Sequence, residues 1–295
     1  MAGRFGAIVT AMVTPFRDDL SLDPDRAAEL AGWLLDHGSD SLVVAGTTGE
    51  GPTLSDDEKS RLWRAVVEAV DGRGRVIAGT GTNDTAHSIH LTHLAEEAGA
   101  DAALVVSPYY NKPSQEGLIH HFTRVAESTE LPVVLYNIPG RTAVRIEEPT
   151  LLALAGDVDN IVAVKDSTGD AEGVGSLVAH APSGFEVYSG DDWATFPYAC
   201  LGAVGVVSVS SHVVGDRMRQ MLDLVWTGDV AAARKVHQEL IPVYRGMFLT
   251  SSPAPVKTAL ALLGQPVGPP RSPIVPATEE QAAAVKKALE DAGAL

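Results

Sequence analysis

The sequence predicts an α/β protein, a (β/α)8 TIM barrel with a C-terminal helical extension. Three observations predict it. Short apolar runs alternate with longer amphipathic segments along most of the 295 residues. The middle runs begin roughly 25–35 residues apart, the length of a strand–loop–helix–loop unit. Eight such runs precede a wholly helical tail, and eight alternating units suit a closed barrel. A doubly wound sheet is the rival arrangement, and it usually carries a Gly-rich dinucleotide turn after its first strand. Here the first run leads into Val13-Thr14-Pro15-Phe16, without such a turn.

The eight strands read as Gly6–Met12, Ser41–Ala45, Arg75–Ala78, Ala102–Val106, Pro132–Tyr136, Ile161–Val164, Phe185–Tyr188 and Ala203–Val207. Their β-branched content and length fit strands buried on both faces. Helices fill the gaps. Pro24–His37 starts after Asp23 with proline in its first turn, and Gly38 stops it. Ser55 and Glu58 form a capping box ahead of Lys59–Val70. The acidic Asp56-Asp57-Glu58 suits the positive end of that helix rather than a metal. Asn83 and Asp84 can cap a helix that ends near Gly99. The spacing tightens after the sixth strand, which leaves less room for the last connections. The barrel then covers residues 1–225. The tail, 226–295, reads as Val230–Phe248, Pro255–Leu263 and Glu279–Asp291, the last behind a Thr278/Gln281 capping pair. Gly264–Pro276 is rich in proline and glycine and reads as a connector. No low-complexity linker separates tail from barrel, so the two are expected to pack together.

Composition excludes several classes of function. Hydrophobic residues make up 45% of the chain, enough for a sizeable core, but aromatics are only 5%, so Ala, Val and Leu must do most of the packing. A formal charge of −16 argues against nucleic acid or an anionic membrane as partner. The single cysteine, Cys200, rules out an internal disulfide and fits a reducing, cytoplasmic setting. Its apolar context suggests a packed core thiol. The N-terminus lacks the pattern of a signal peptide, and no run is long enough to span a membrane.

In a barrel of this kind, chemistry sits at the carboxyl ends of the strands. Strand 6, Ile161-Val162-Ala163-Val164, ends on Lys165. A buried ammonium is expensive unless it is paired or used, so Lys165 is either half of an ion pair or an amine with a lowered pKa that forms a Schiff base. Asp166 is adjacent, but successive strand residues face opposite sides, so it is a poor partner. The other strand ends supply Gly46-Thr47-Thr48-Gly49-Glu50, Gly79-Thr80-Gly81-Thr82-Asn83, Ser107-Pro108-Tyr109-Tyr110-Asn111, Tyr136-Asn137-Ile138-Pro139-Gly140-Arg141-Thr142, Ser189-Gly190-Asp191-Asp192 and Ser208-Val209-Ser210-Ser211-His212. The Gly46–Gly49 segment is either a tight strand-to-helix turn or a cradle of amides and hydroxyls for an anion. Asp191 and Asp192 would repel a phosphate at the strand 7–8 rim. Tyr136 is either a structural phenol or a proton relay beside Lys165. Arg141 is either a surface residue or a bidentate carboxylate clamp. His87, His90 and His93 recur every third residue, but no carboxylate or cysteine joins them at a zinc-like spacing, so a solvated helix face and no metal is the expectation.

The ordered set Gly46-Thr47-Thr48-Gly49-Glu50, Ser107-Pro108-Tyr109-Tyr110-Asn111, Tyr136-Asn137-Ile138-Pro139-Gly140-Arg141-Thr142 and Val164-Lys165-Asp166 resembles the dihydrodipicolinate synthase / N-acetylneuraminate lyase family of class I aldolase-like barrels. The resemblance covers essentially the whole chain, tail included. It implies that Lys165 forms a Schiff base with pyruvate and that Tyr136 relays protons beside that imine. Thr48 would link Tyr136 to Tyr110, and Tyr110 would reach into a neighbouring subunit, so a homo-oligomer is implied, with a tetramer built as a dimer of dimers as the family's usual form. The amides of Thr47 and Thr48 would hold the pyruvate carboxylate. Gly190 would belong to the substrate pocket, and the Val207 carbonyl would position the lysine amine. Arg141 would hold the carboxylate of L-aspartate 4-semialdehyde.

The implied reaction joins pyruvate to that semialdehyde and gives 4-hydroxy-tetrahydrodipicolinate, a precursor of diaminopimelate and lysine. The imine is the electron sink, so no cofactor is implied. Two alternatives stay open. One is another pyruvate-dependent aldolase of the family, acting on sialic acid or a keto-deoxy sugar acid. The other is a barrel that binds a keto acid without turnover. One departure bears on regulation. Asn83 and Tyr109 match the family's lysine-binding site, but Asp56, Lys59 and His87 stand where lysine-sensitive members tend to carry His, His and Glu. Weak or absent inhibition by lysine is the expectation.

Overall fold

Eight parallel strands hydrogen-bond in sequence order and the eighth closes on the first. The computed structural model describes residues 1–295. The strands are β1 (Ile8–Ala11), β2 (Ser41–Val44), β3 (Arg75–Gly79), β4 (Ala102–Val106), β5 (Val133–Asn137), β6 (Ile161–Asp166), β7 (Glu186–Ser189) and β8 (Gly205–Ser208). All eight expected strands are present, with ends moved by at most two residues. The largest change is β1, which loses Gly6 and Ala7. Ala7 and Ile8 instead donate their amides to the Asp40 carboxylate, at 2.7 and 3.0 Å. β6 runs two residues further than expected because Lys165 and Asp166 stay in register with Tyr136 and Asn137 of β5 and with Tyr188 and Ser189 of β7. That pairing places Lys165 beside Tyr136.

The interior of the barrel is a compact apolar cluster of Phe5, Val9, Ala11, Val43, Ile77, Ala102, Leu104, Val134, Tyr136, Ala163, Tyr188 and Val207. Alternate residues of each strand face outward and pack on helices. The barrel helices are α1 (Pro24–Asp36), α2 (Asp56–Val70), α3 (Thr85–Glu97), α4 (Gln115–Ala126), α5 (Pro139–Thr142), α6 (Glu148–Asp157), α7 (Ala171–His180), α8 (Thr195–Cys200) and α9 (Ser211–Trp226). Their starts follow from local chemistry. Asp23, Asp84, Ser114 and Asp170 each accept an amide hydrogen bond at a helix N-terminus, and Ser55 and Glu58 form the reciprocal box expected of them. The tightened spacing late in the barrel appears as α8, only six residues long. One expectation fails there. Cys200 is exposed rather than packed in the core, because it closes this short helix on its outer side.

The tail contributes α10 (Val230–Gly246), α11 (Ala254–Leu262) and α12 (Glu279–Asp291), the last with the Thr278/Gln281 capping box. α10 packs against α9 and α12, and α11 against α12 and α9. A single apolar cluster of 44 buried residues runs from Ile8 and Met12 of the barrel to Leu240, Leu260 and Leu289 of the tail. No helix is long and apolar enough to cross a membrane.

Candidate active site

Lys165 is the only charged side chain in the upper layer of the barrel interior that β6 supplies, and it is 5% exposed. It takes part in none of the chain's ion pairs. Its Nζ lies 4.0 Å from the centroid of the Tyr136 ring. An ammonium over an aromatic face is attracted by the ring quadrupole, a much weaker hold than a carboxylate gives. Asp166, the sequence neighbour, faces outward as strand alternation requires. It accepts hydrogen bonds from the Thr168 amide and hydroxyl at 3.0 and 2.6 Å, from the Tyr198 hydroxyl at 3.4 Å and from Asn137 Nδ2 at 3.4 Å. Asn137 also grips both backbone groups of Ile146. This outer network ties the ends of β5 and β6 together, behind Tyr136 and Lys165.

Gly190 explains how the rim of β7 passes Lys165. Its amide donates to the Asp166 carbonyl at 2.7 Å. A Cβ at this position would stand 3.1 Å from both the Asp166 carbonyl oxygen and Cγ of Lys165 and would displace the Ser167 hydroxyl, so glycine leaves the lysine stem its room. Val207 is buried on the inner face of β8, level with Val9 of β1.

A cavity of about 230 Å³ opens beside the lysine, lined by Gly46, Thr47, Tyr136, Arg141, Tyr109 and Lys59 among others. Lys165 does not itself line it; the Tyr136 ring that covers the lysine does. Thr47 is half-buried, and Thr48 is buried in the same turn. Arg141 is exposed at the mouth on α5, the one-turn helix that Pro139 opens. The structure therefore brings Thr47, Tyr136 and Arg141 to one cavity; Lys165 lies against the Tyr136 ring, Gly190 against Lys165, and Thr48 follows Thr47 in the turn. Tyr110 is not among them. It is 89% exposed, with φ of +72°, and does not line the cavity.

Asp191, which the sequence marks only as a repellent of phosphate, acts on the site through its charge, although it lines the neighbouring cavity beside Trp193 and Tyr244 rather than this one. Burial, and the neighbouring charge of Asp192, push its carboxyl up to about 6, while Lys165 and Arg141 pull it the other way. It therefore feels both cations of the mouth. Two adjacent acids at the carboxyl end of a strand were the available signal, and a coupled pair of this kind is how acid–base groups near neutrality arise. Asp192 is buried and satisfied by Ser208 Oγ and by the amide and hydroxyl of Ser210. Elsewhere, His87 and His90 of α3 lie 3.1 and 3.6 Å from the Asp56 carboxylate, and His93 meets the Ser128 carbonyl. The sequence reading found no acidic companion for these histidines because Asp56 comes from another helix, α2. No group of three or more His, Cys, Asp or Glu side chains is placed to hold a metal ion.

Comparison with known proteins agrees with this geometry. The model of the dihydrodipicolinate synthetase family matches residues 4–292. The 4-hydroxy-tetrahydrodipicolinate synthase of Desulforamulus reducens is 50% identical over 287 residues, which span 97% of each chain. Among solved structures, a dihydrodipicolinate synthase from Bacillus anthracis superposes with a TM-score of 0.95 at 47% identity and covers 98% of both chains. The enzyme from Cyanidioschyzon merolae, described with lysine bound, gives a TM-score of 0.97 at 40% identity over 99% of this chain and 100% of its own.

Proposed function

This chain belongs to the dihydrodipicolinate synthetase family, and we propose that it condenses pyruvate with L-aspartate 4-semialdehyde to give 4-hydroxy-tetrahydrodipicolinate. The observation that carries the reading is Lys165, a buried lysine without an ion-pair partner at the end of β6, against Tyr136. The amine of Lys165 attacks the pyruvate ketone, and water leaves to give an imine. Loss of a methyl proton turns the imine into an enamine, whose carbon attacks the aldehyde. The amino group of the second substrate then displaces Lys165 by transimination and closes the ring. Tyr136 is the proton carrier in this scheme: its ring lies against the lysine Nζ and lines the cavity, and its phenol is the proton-bearing group next to the nascent imine. Thr48 passes protons on to Tyr110 of a second subunit. The Thr47 and Thr48 amides hold the pyruvate carboxylate, the Val207 carbonyl orients the lysine amine, and Gly190 leaves space beside it. Arg141 at the mouth takes the carboxylate of the semialdehyde, where a guanidinium offers two parallel donors.

Borohydride reduction with pyruvate, followed by peptide mass mapping, tests the reading. Modification of Lys165 is expected, and modification of any other lysine overturns it. A coupled assay then compares aspartate semialdehyde with N-acetylneuraminate, and turnover of the second alone would move the chain to the sugar-acid branch. The 89% exposure of Tyr110 supports assembly into at least a dimer, with a dimer of dimers as the fuller form, which sedimentation velocity reads directly.

Regulation by lysine is proposed to be weak or absent. An α-amino acid with a second ammonium needs acidic partners. Asp56, the acid available, is already engaged by His87 and His90. Lys59 beside it is buried and adds a like charge. Millimolar L-lysine is expected to leave the steady-state rate within about twofold, since His87 in place of an acidic partner removes the bond that would hold the ligand and Lys59 adds a like charge. Half-inhibition at micromolar lysine would refute this.

A further inference from the structure

Three lysines are buried in this chain: Lys59, Lys165 and Lys257. Lys59 lines the cavity and Lys165 belongs to the proposed reaction. Lys257 lies outside both, on α11 of the tail, yet its partner is on the barrel. Its Nζ stands 2.8 Å from Oε1 of Glu50, and the two side chains are 4% and 3% exposed. Burial pulls the Lys257 ammonium below its ordinary range, and the Glu50 carboxylate is the main group opposing that.

Glu50 closes the Gly46-Thr47-Thr48-Gly49-Glu50 turn. Its backbone sits in the left-handed region, at φ +55° and ψ +33°, which a residue with a Cβ adopts at a cost. Such a conformation persists where surrounding contacts over-determine it. Here the tail supplies those contacts. Lys257 takes one carboxylate oxygen, and the Arg271 amide donates to the other at 2.7 Å. Lys257 also donates to the Pro269 carbonyl at 3.1 Å. The Lys257 ammonium and the Arg271 guanidinium lie 4.5 and 4.2 Å from the ring centroid of Phe16, in the loop after β1. Gly268, at φ +70°, runs so close beneath the Phe16 carbonyl that any Cβ would collide with it. The same β1 loop reaches the turn directly, through Thr14 Oγ1 on the Gly49 carbonyl.

A buried ion pair is weak evidence for stability, because desolvation offsets most of the attraction. Its better-attested use is to fix a register. What this pair fixes is a turn whose Thr47 and Thr48 amides lie three and two residues upstream of Glu50. We propose that the helical tail sets the pyruvate-carboxylate turn through the Glu50–Lys257 pair, which makes Lys257 a positioning residue for the reaction. The proposal rests on the pyruvate-condensing function argued above. It assigns the tail a task at the site, although none of its residues lines the cavity.

Lys257→Met keeps the bulk of the side chain and removes its charge. The expected result is a pyruvate KM raised by about ten- to a hundredfold, since displacing a binding group by ~1 Å is worth factors of that size. The KM for the semialdehyde is expected to stay within threefold. Lys257→Arg, which keeps the charge, is expected to restore most of the loss. A merely structural role would lower the melting temperature and leave the pyruvate KM alone. Should Lys257→Met fail to fold, Glu50→Asp carries the same test, because it keeps both charges but withdraws the carboxylate by one methylene. A folded variant of either kind whose pyruvate KM stays within twofold of the parent overturns the proposal. Amide hydrogen exchange over residues 46–51 gives a readout independent of the reaction, and faster exchange in the variant is expected. If the parent chain captures no pyruvate on borohydride treatment, the assigned reaction fails, and the exchange comparison still decides the positioning role.

Discussion

Lys165, on which the reading of the site turns, and Asp191, whose charge acts on it, were unequally visible. Lys165 stands out in the sequence because a cation closes an otherwise apolar run. What the sequence left open was its partner, and the structure answers with the Tyr136 ring instead of a carboxylate. Asp191 was visible as a residue but not as a titrating group, since its behaviour depends on burial and on Lys165 and Arg141, which are distant in sequence. Its raised pKa has a consequence for stability. The native carboxyl titrates near 6 and the unfolded one near 3.8. The native chain therefore holds this proton the more tightly. The group contributes most below the unfolded value, and that contribution is lost as pH rises through about 6, above which a buried charge must be carried. Asp191→Asn is therefore expected to be more stable than the parent at pH 8, by on the order of 2 kcal/mol. The difference should shrink below pH 5. Urea midpoints at the two pH values check it, and a destabilised variant at pH 8 would count against the raised pKa.

At the scale of elements, strands and long helices were legible because their signals are local. β-branched runs mark the strands, and Ser55/Glu58 and Thr278/Gln281 mark helix starts that the structure reproduces. Short elements escaped. α5 has four residues and α8 six, too few for a periodicity to register. That is why Cys200 was expected in the core: its apolar neighbours belong to a helix with one exposed end. Loop junctions held by long-range bonds escaped as well. His212, at the start of α9, is fully buried and joins two of them. Its Nε2 accepts from the Val13 amide at 3.2 Å, and its Nδ1 meets the Val209 carbonyl at 2.8 Å. Only a neutral ring, protonated on Nδ1, satisfies both contacts. A second proton would set an N–H against the Val13 N–H, and burial accordingly lowers the pKa to about 4. The unfolded histidine titrates near 6.5, so this contribution is intact above that pH and is lost as pH falls toward 4. In His212→Gln that part of the acid sensitivity should vanish. The stability gap between parent and variant should narrow by about 3 kcal/mol between pH 7 and pH 4. A gap independent of pH would show that the ring is not held neutral.

For the whole molecule, the question is whether tail and barrel behave as one body. Residues 1–225 and 226–295 differ in pattern, one alternating and the other helical, and pattern is all a sequence displays. Patterning does not say which faces share a core. In the structure Leu289 of α12 and Leu260 of α11 are fully buried in the same apolar cluster as Ile8 and Met12 of the barrel. The Glu50–Lys257 pair, 207 residues apart, crosses the same boundary, and no local signal joins its two ends. A shared core and a shared buried charge argue for one cooperative transition, because neither part keeps its apolar surface covered when the other melts. Leu289→Ala, far from the barrel mouth, should then destabilise the entire chain by about 2–5 kcal/mol, the range for a buried leucine replaced by alanine. Two probes in one melt make the test. Far-ultraviolet dichroism follows all the helices, while borohydride trapping of pyruvate follows Lys165 in the barrel. The two curves should fall together, at a lower temperature than in the parent. If the dichroism loses a helical fraction first while Lys165 still captures pyruvate, the tail unfolds independently of the barrel.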